Sequence, residues 1–430
     1  MGEAMSKTER ERTAALSIVR NVYVGHGKIE VLPKFVVRSM DDIAALYTPG
    51  VGYLVKEILE RPEALGELTW RDNAVAVVSD GTAVLGLGKA GPRAALAVME
   101  GKASMFKLLA GIDAIPLCLD VSNSNELVDV LKAAEPTFGG FNLEDVASPG
   151  CFEVMKKAEA TLGVPIIHDD QYGTATVVAA GLMNAWKVLG RDACEQTVVV
   201  CGDGAAGTAT VDMLLALGVQ DIVVVGLQGI VTRDKGYESP HRMWIAQHTN
   251  PSNRHGTLLD AMKGANAFVG LSVGGIVSAD MVRTMSPQPV MFAMANPVPE
   301  IMPEESFAAG AVIVATGRFD YPNQCNNVLA FPGLMRGALD TKAKRIPREV
   351  CLTAAKAIAA DVSDMDLRPD NILPTPMSAT LYPTVAEATA QKLVALELAR
   401  IVPAPGAVAH RTRVLREIVA KRQQFLSRGV

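Results

Sequence analysis

Two pairs of adjacent carboxylates stand out along the chain: Glu144-Asp145 in GGFNLEDVASPG and Asp169-Asp170 in PIIHDDQYGTAT, the second directly after an apolar, strand-like run. Adjacent carboxylates repel unless something neutralises them. A hard divalent cation bound through oxygen does this and keeps positions open for water or substrate. Taken alone, either pair reads better as a solvated loop or a helix cap. A third feature is sharper. Gly202-Asp203-Gly204-Ala205-Ala206-Gly207 is a G-x-G-x-x-G string after the run TVVVC and before a helical pattern. In that setting Gly202, Gly204 and Gly207 permit a tight turn and close backbone approach. Ala205 and Ala206 open a helix whose free N–H groups face a pyrophosphate. A plain glycine turn is the weaker reading, because the strand–turn–helix order is met.

The elements that must position these residues follow from hydrophobic periodicity. Short β-branched runs alternate with longer helical patterns, as in NAVAVVSD, AALAVMEGKASMFKLLA and DAIPLCLDV. That rhythm predicts an α/β fold with parallel sheets and crossover helices. A second set begins after the helix GTATVVAAGLMNAWKVLG: TVVVCGDG, TATVDMLLALG and DIVVVG form a βαβ unit, and ANAFVGLS, PVMFAMAN and AVIVATG extend the same sheet. Its ligand-binding loops are expected at the carboxyl ends of the strands. Beyond about residue 340 the pattern turns helical, in REVCLTAAKAIAADV, TVAEATAQKLVALELARIV and a charged amphipathic tail, HRTRVLREIVAKRQQFLSR.

Composition narrows the function classes. A chain of 430 residues, 49% hydrophobic and 20% charged, is globular and long enough for two large domains. A net charge of -5 offers no basic field for nucleic acid. The charged opening MGEAMSKTERERTAALSIVRNVYV does not resemble a signal peptide, and no long apolar run follows. A cytoplasmic protein with no membrane partner is expected. Six cysteines without a C-x-x-C pair read as reduced core residues.

Ordered strings over about residues 25 to 340 then carry a family resemblance: HGKIEVLPK, LYTPGV, VVSDGTAVLGLG, VMEGKASMFK, DAIPLCLD, NLEDV, HDDQYGTA, GDGAAG, FAMANPVPE and YPNQCNNVLAFPGLMRGALD. The chain resembles the malic enzymes, in their short bacterial and archaeal form. The resemblance implies an N-terminal α/β substrate and metal domain (1–172), a Rossmann-like doubly wound dinucleotide domain (173–340) and C-terminal helices packing back on the N-terminal domain (341–430). It implies a homodimer in which the partner subunit can complete the active site. Carried over by position, Tyr47 matches the general acid and Lys102 the general base. Glu144, Asp145 and Asp170 match the metal ligands, and Asp169 the neighbouring catalytic carboxylate. Asn296, Asn326 and Asn327 match substrate or nicotinamide contacts.

The implied reaction is the oxidative decarboxylation of L-malate, a small dicarboxylic 2-hydroxy acid, to pyruvate and carbon dioxide with NAD or NADP and Mg2+ or Mn2+. It needs a base for the C2 hydroxyl proton, and a lysine serves if burial or neighbouring cations lower its pKa. Losing carbon dioxide leaves an enolate whose charge a metal accepts as Lewis acid, and an acid must then protonate C3.

Several positions depart from the family pattern: Tyr172, Phe319, Cys325, Lys89, Arg93, Ala97 and the run Gly52-Tyr53-Leu54. They keep open a modified malate-like acid as substrate. Lys89 and Arg93, if close to the pocket, would favour one with more negative charge. A non-catalytic homologue is the third reading, opposed by the presence of every catalytic residue type. The dinucleotide choice is read from the end of the second strand of the βαβ unit, where an acid would bind the adenosine ribose. Gly226, Leu227 and Gln228 stand there, which shifts the expectation toward NADP, with Arg233 and Lys235 within reach of a phosphate.

Overall fold

Apolar on both faces, the strands of this chain can be satisfied only by parallel sheets covered on either side by helices. The computed structural model describes residues 27–84 and 87–426. The charged opening segment and the end of the amphipathic tail lie outside the described residues. The first sheet has the order β2-β1-β3-β4, built from β1 (Ala74–Ser79), β2 (Asp113–Cys118), β3 (Gly140–Leu143) and β4 (Ile166–His168), all parallel. Every residue of β1 is buried. The crossover from β1 to β2 is the helix Pro92–Ala110, which carries Pro92 in its first turn and ends at Gly111 with φ 66°, a left-handed residue that stops a helix without a Cβ penalty. Its buried stripe, Met99, Lys102, Ala103 and Phe106, has the spacing of one helix face. Lys102 therefore points inward with the apolar residues.

The second sheet has the order β10-β9-β8-β5-β6-β7. Its strands are β5 (Thr197–Cys201), β6 (Asp221–Gly226), β7 (Gly229–Ile230), β8 (Ala267–Gly270), β9 (Val290–Ala293) and β10 (Ile313–Thr316), and only β7 runs antiparallel. From β5 the chain builds outward through β6 and β7, then returns to β8 on the other side of β5. This reversal opens a crevice at the carboxyl ends, where such sheets bind ligands. The runs expected as further strands of this sheet are β8, β9 and β10.

The helix Thr174–Leu189 joins the two sheets, is buried along most of its length and packs on the helix Arg348–Ala360. The helix Leu381–Ala395 packs on Phe331–Asp340, and Ala407–Leu426 lies against Pro92–Ala110. One continuous apolar cluster runs from Val75 of the first sheet to Val200 of the second. No helix among the described residues is long and apolar enough to cross a membrane. The cysteines are unpaired, and Cys151, Cys201, Cys325 and Cys351 are buried. Cys194 departs from the expected core placement: it is exposed, in a short turn after the helix Thr174–Leu189.

Candidate active site

The two acidic pairs meet because of strand register. Leu143 of β3 is the partner of His168 of β4, so Glu144-Asp145 and Asp169-Asp170 leave adjacent strands side by side at the same sheet end. Asp169–Gly173 forms a wide π-type turn into the helix Thr174–Leu189, a distortion found often at functional sites. Gly173 is required there: a Cβ would lie 1.9 Å from Asp169 Oδ1.

Lys102 enters this group from the facing helix. Its Nζ lies 2.5 Å from Asp169 Oδ2 and 3.1 Å from Glu144 Oε1, and 4.1 Å above the Phe331 ring. Burial pulls the ammonium pKa down, but the charges of Asp169 and Glu144 and the hydrogen bond to Asp169 outweigh it and raise it overall. This corrects the expectation of a lysine lowered toward neutrality: its near neighbours are carboxylates, and they hold the proton. Burial also raises the Asp169 and Glu144 carboxyls. Asn327 donates from Nδ2 to the same Asp169 oxygen, while Asn142 Nδ2 donates to Glu144 Oε2 at 3.0 Å. Asp170 Oδ2 sits 3.1 Å from His168 Nε2 and accepts the Asp145 N–H at 2.8 Å. Burial opposes ionisation of Asp170, yet the His168 contact leaves its pKa below the ordinary carboxylate value.

These groups face a cavity of about 600 Å3 whose wall includes Lys102, Glu144, Asp145, Asp170 and, from the second sheet, Ala206 and Asn296. Asn326 and Asn327 also line it. The glycine string forms the turn from β5 into the helix Ala205–Ala216. Gly202 has φ 123°, with its missing Cβ aimed 2.4 Å from Leu271 O, and a Cβ on Gly207 would meet Gly202 O at 1.8 Å. Only glycine fits either place.

Two family models match the chain: "Malic enzyme, N-terminal domain" over residues 26–129 and "Malic enzyme, NAD binding domain" over 171–394. The NAD-dependent malic enzyme of Geobacillus stearothermophilus is 47% identical over 87% of this chain and 78% of its own length. The bifunctional malic/malolactic enzyme of Bacillus subtilis is 45% identical over 91% of this chain and 96% of its own length. The crystal structure of malic enzyme from Pyrococcus horikoshii superposes with a TM-score of 0.89 at 42% identity, covering 96% of this chain and all of that one. The chain belongs to the malic enzyme family. Relatives named NAD-dependent and NADP-dependent both occur in the family, and a nicotinamide dinucleotide is the cofactor class its second domain binds.

Against the malic enzyme pattern, the structure gathers Lys102, Glu144, Asp145, Asp169, Asp170, Asn296, Asn326 and Asn327 around one cavity or its wall. It does not gather Tyr47, which caps the helix Met40–Leu46, is 71% exposed and lies outside the cavity lining. Asn326 is committed to the backbone, donating to Gly317 O at 3.3 Å and accepting the Val328 N–H at 3.0 Å, so it shapes the loop. Lys89 and Arg93 are exposed and absent from the lining. Tyr172 turns away as well, donating to Asp212, which also binds Arg348. Phe319 alone of the exposed departures lines the cavity.

The donor set suits a hard divalent cation, with Glu144, Asp145 and Asp170 offering oxygen on one wall, while Lys102 contacts Glu144 and Asp169, and His168 contacts Asp170. Asp169 Oδ1 is buried with no hydrogen-bond partner among the described residues. No group of three such ligands is already drawn together among those residues, because Glu144 is turned to Lys102 and Asp170 to His168.

Two contributors escaped the sequence reading. His168 precedes the acidic pair and holds Asp170. Glu300, fully buried, accepts the Ser272 N–H on Oε1 and the Ala295 N–H on Oε2, both at 3.0 Å, and so ties together the loops leaving β8 and β9. The only available signal was an acid in the string FAMANPVPE.

The structure also alters the premise of the dinucleotide reading. Gly226 does end β6, but a Cβ there would fall 2.3 Å from Asp203 Oδ2. A carboxylate already stands at that strand end. Arg233 is occupied, donating to Asn250 O at 3.1 Å.

Proposed function

We propose that this chain oxidatively decarboxylates L-malate to pyruvate and carbon dioxide, reducing NAD or NADP and requiring Mg2+ or Mn2+, as a cytoplasmic homodimer. The observation that carries the reading is Lys102, 9% exposed between Asp169 and Glu144 on the wall of a cavity shared with the dinucleotide sheet. Lys102 Nζ is the base for the C2 hydroxyl proton, oriented by Asp169 Oδ2 at 2.5 Å. Asn296 and Asn327 orient the substrate and the nicotinamide at the cavity wall. Glu144, Asp145 and Asp170 are the residues that would hold the divalent ion, which supplies Lewis-acid stabilisation of negative charge when bound. The Gly202–Gly207 turn would hold the dinucleotide, which would supply the hydride acceptor.

Tyr47 is the acid for C3, and it acts in the cavity of a second copy. Its surroundings support this. Val31, Phe35, Val36, Met40 and Leu59 are each more than two-thirds exposed, and an apolar face of that extent marks an interaction surface. The test is incubation with L-malate, Mn2+ and each dinucleotide, following the absorbance of the reduced cofactor and the pyruvate formed. Formation of both supports the reading, and absence of both with a folded protein overturns it.

A second reading, a malate with an apolar substituent, has one observation in its favour: Phe319, 60% exposed, lines the cavity. A panel of substituted 2-hydroxy acids in the same assay separates the two by kcat/KM.

A further inference from the structure

The acid missing from the end of β6 is replaced by one from the glycine turn. Asp203 occupies the second position of G-x-G-x-x-G, and its carboxylate lies against Gly226, taking the space a side chain at 226 would fill. Arg242 Nε forms an ion pair with the same oxygen at 2.7 Å. Arg242 sits in the first turn of the helix Pro240–His248, and its neighbour His241 stacks on Phe152 of the helix Gly150–Thr161 with centroids 4.5 Å apart. The start of that helix is thereby pinned to the first sheet's domain. The cluster lies on the β6 side of β5, while Leu271, Ser272 and Asn296 of the catalytic cavity follow β8 and β9 on the other side. A dinucleotide whose pyrophosphate rests on the turn between them extends its adenosine toward Asp203 and its nicotinamide toward Lys102.

We propose that Asp203 is the acceptor for the adenosine ribose hydroxyls, that Arg242 holds it in place, and that the enzyme therefore selects NAD over NADP. This rests on the dinucleotide reading above. It reverses the expectation drawn from the strand end, because a carboxylate reaches the ribose position from the turn. A 2′-phosphate placed there meets like charge, and the guanidinium of Arg242 is spent on Asp203. Removing Asp203 releases Arg242 to pair with the phosphate.

The experiment compares wild type, Asp203→Asn, Asp203→Ala and Arg242→Ala. It measures kcat/KM with NAD and NADP and, by calorimetry, Kd for ADP-ribose and 2′-phospho-ADP-ribose. The expected wild type prefers NAD by at least about tenfold in kcat/KM. Both Asp203 variants lower that ratio at least about tenfold, with the two Kd values moving the same way, and Arg242→Ala does not move it toward NADP. Asp203→Asn keeps the volume, so a folding defect in Asp203→Ala leaves the test intact. A wild type that prefers NADP, or Asp203 variants with an unchanged ratio, overturns the proposal while leaving dinucleotide binding in place. Failure of wild type to bind either adenosine compound overturns the dinucleotide reading and the proposal together.

Discussion

Lys102 Nζ donates to Asp169 Oδ2 at 2.5 Å, across 67 residues of sequence and with both side chains inside the protein. The pair joins the helix that covers the first sheet to the turn that leaves it. Removing Lys102 leaves both Asp169 and Glu144 without their cation, whereas removing Asp169 leaves Lys102 its contact with Glu144.

Lys102→Ala is expected to lower kcat by about 10²- to 10⁴-fold, the usual cost of losing a general base. It also leaves Asp169 and Glu144 facing each other without their cation, at a cost of roughly 3 kcal/mol, the low end for a broken buried pair because a cavity adjoins it. Turnover and urea unfolding check the two effects. A variant with more than half of wild-type kcat would remove Lys102 from the proton path.

Asp170→Asn keeps the volume and one oxygen but loses the charge that pairs with His168 and would meet the cation. Mn2+ affinity, measured by calorimetry on the folded variant, is expected to fall at least about tenfold, together with activity. Full wild-type activity in excess chelator would show that the acidic pairs are not a metal site.

Glu300→Ala leaves the Ser272 and Ala295 N–H groups without their acceptors. A loss of about 1–3 kcal/mol in stability is expected, with a higher KM for dinucleotide because the β8 and β9 loops lose their tie. Glu300→Gln is expected to fall between, since an amide replaces one acceptor by a donor. Thermal unfolding and steady-state kinetics give both readings. An unchanged Tm and KM in Glu300→Ala would show that the loops hold their shape without it.

Tyr47→Phe is expected to be inactive at C3 protonation while remaining folded, since the ring is exposed in the single chain. Refolding a mixture of Tyr47→Phe and Lys102→Ala chains together should restore activity that neither has alone, because a mixed dimer contains one intact site. No rescue in a mixture shown to contain mixed dimers would place Tyr47 in its own subunit's cavity or outside catalysis.

Much of this molecule is written locally. Period-2 and period-3.6 patterns marked the strands and helices, but a lone lysine in such a helix reads as a surface residue, and only the structure places Lys102 in the buried stripe with Met99, Ala103 and Phe106. The glycine turn was legible: φ 123° at Gly202 and the contact at Gly207 are demands on the backbone that residue type reveals. Charge and proximity were decided only by the tertiary structure. The proton affinity of Lys102 depends on what lies within a few ångströms, and the carboxylates that raise it come from β3 and β4, brought together by the Leu143–His168 register. The ribose acid was sought at Gly226 because that is its usual place in sequence, yet a side chain's reach is set in space, and Asp203 arrives there from an adjoining turn. Tyr47 shows the limit in the other direction: its motif is local, but the folded chain leaves it exposed and outside the cavity lining, a placement that residue type and spacing do not reveal.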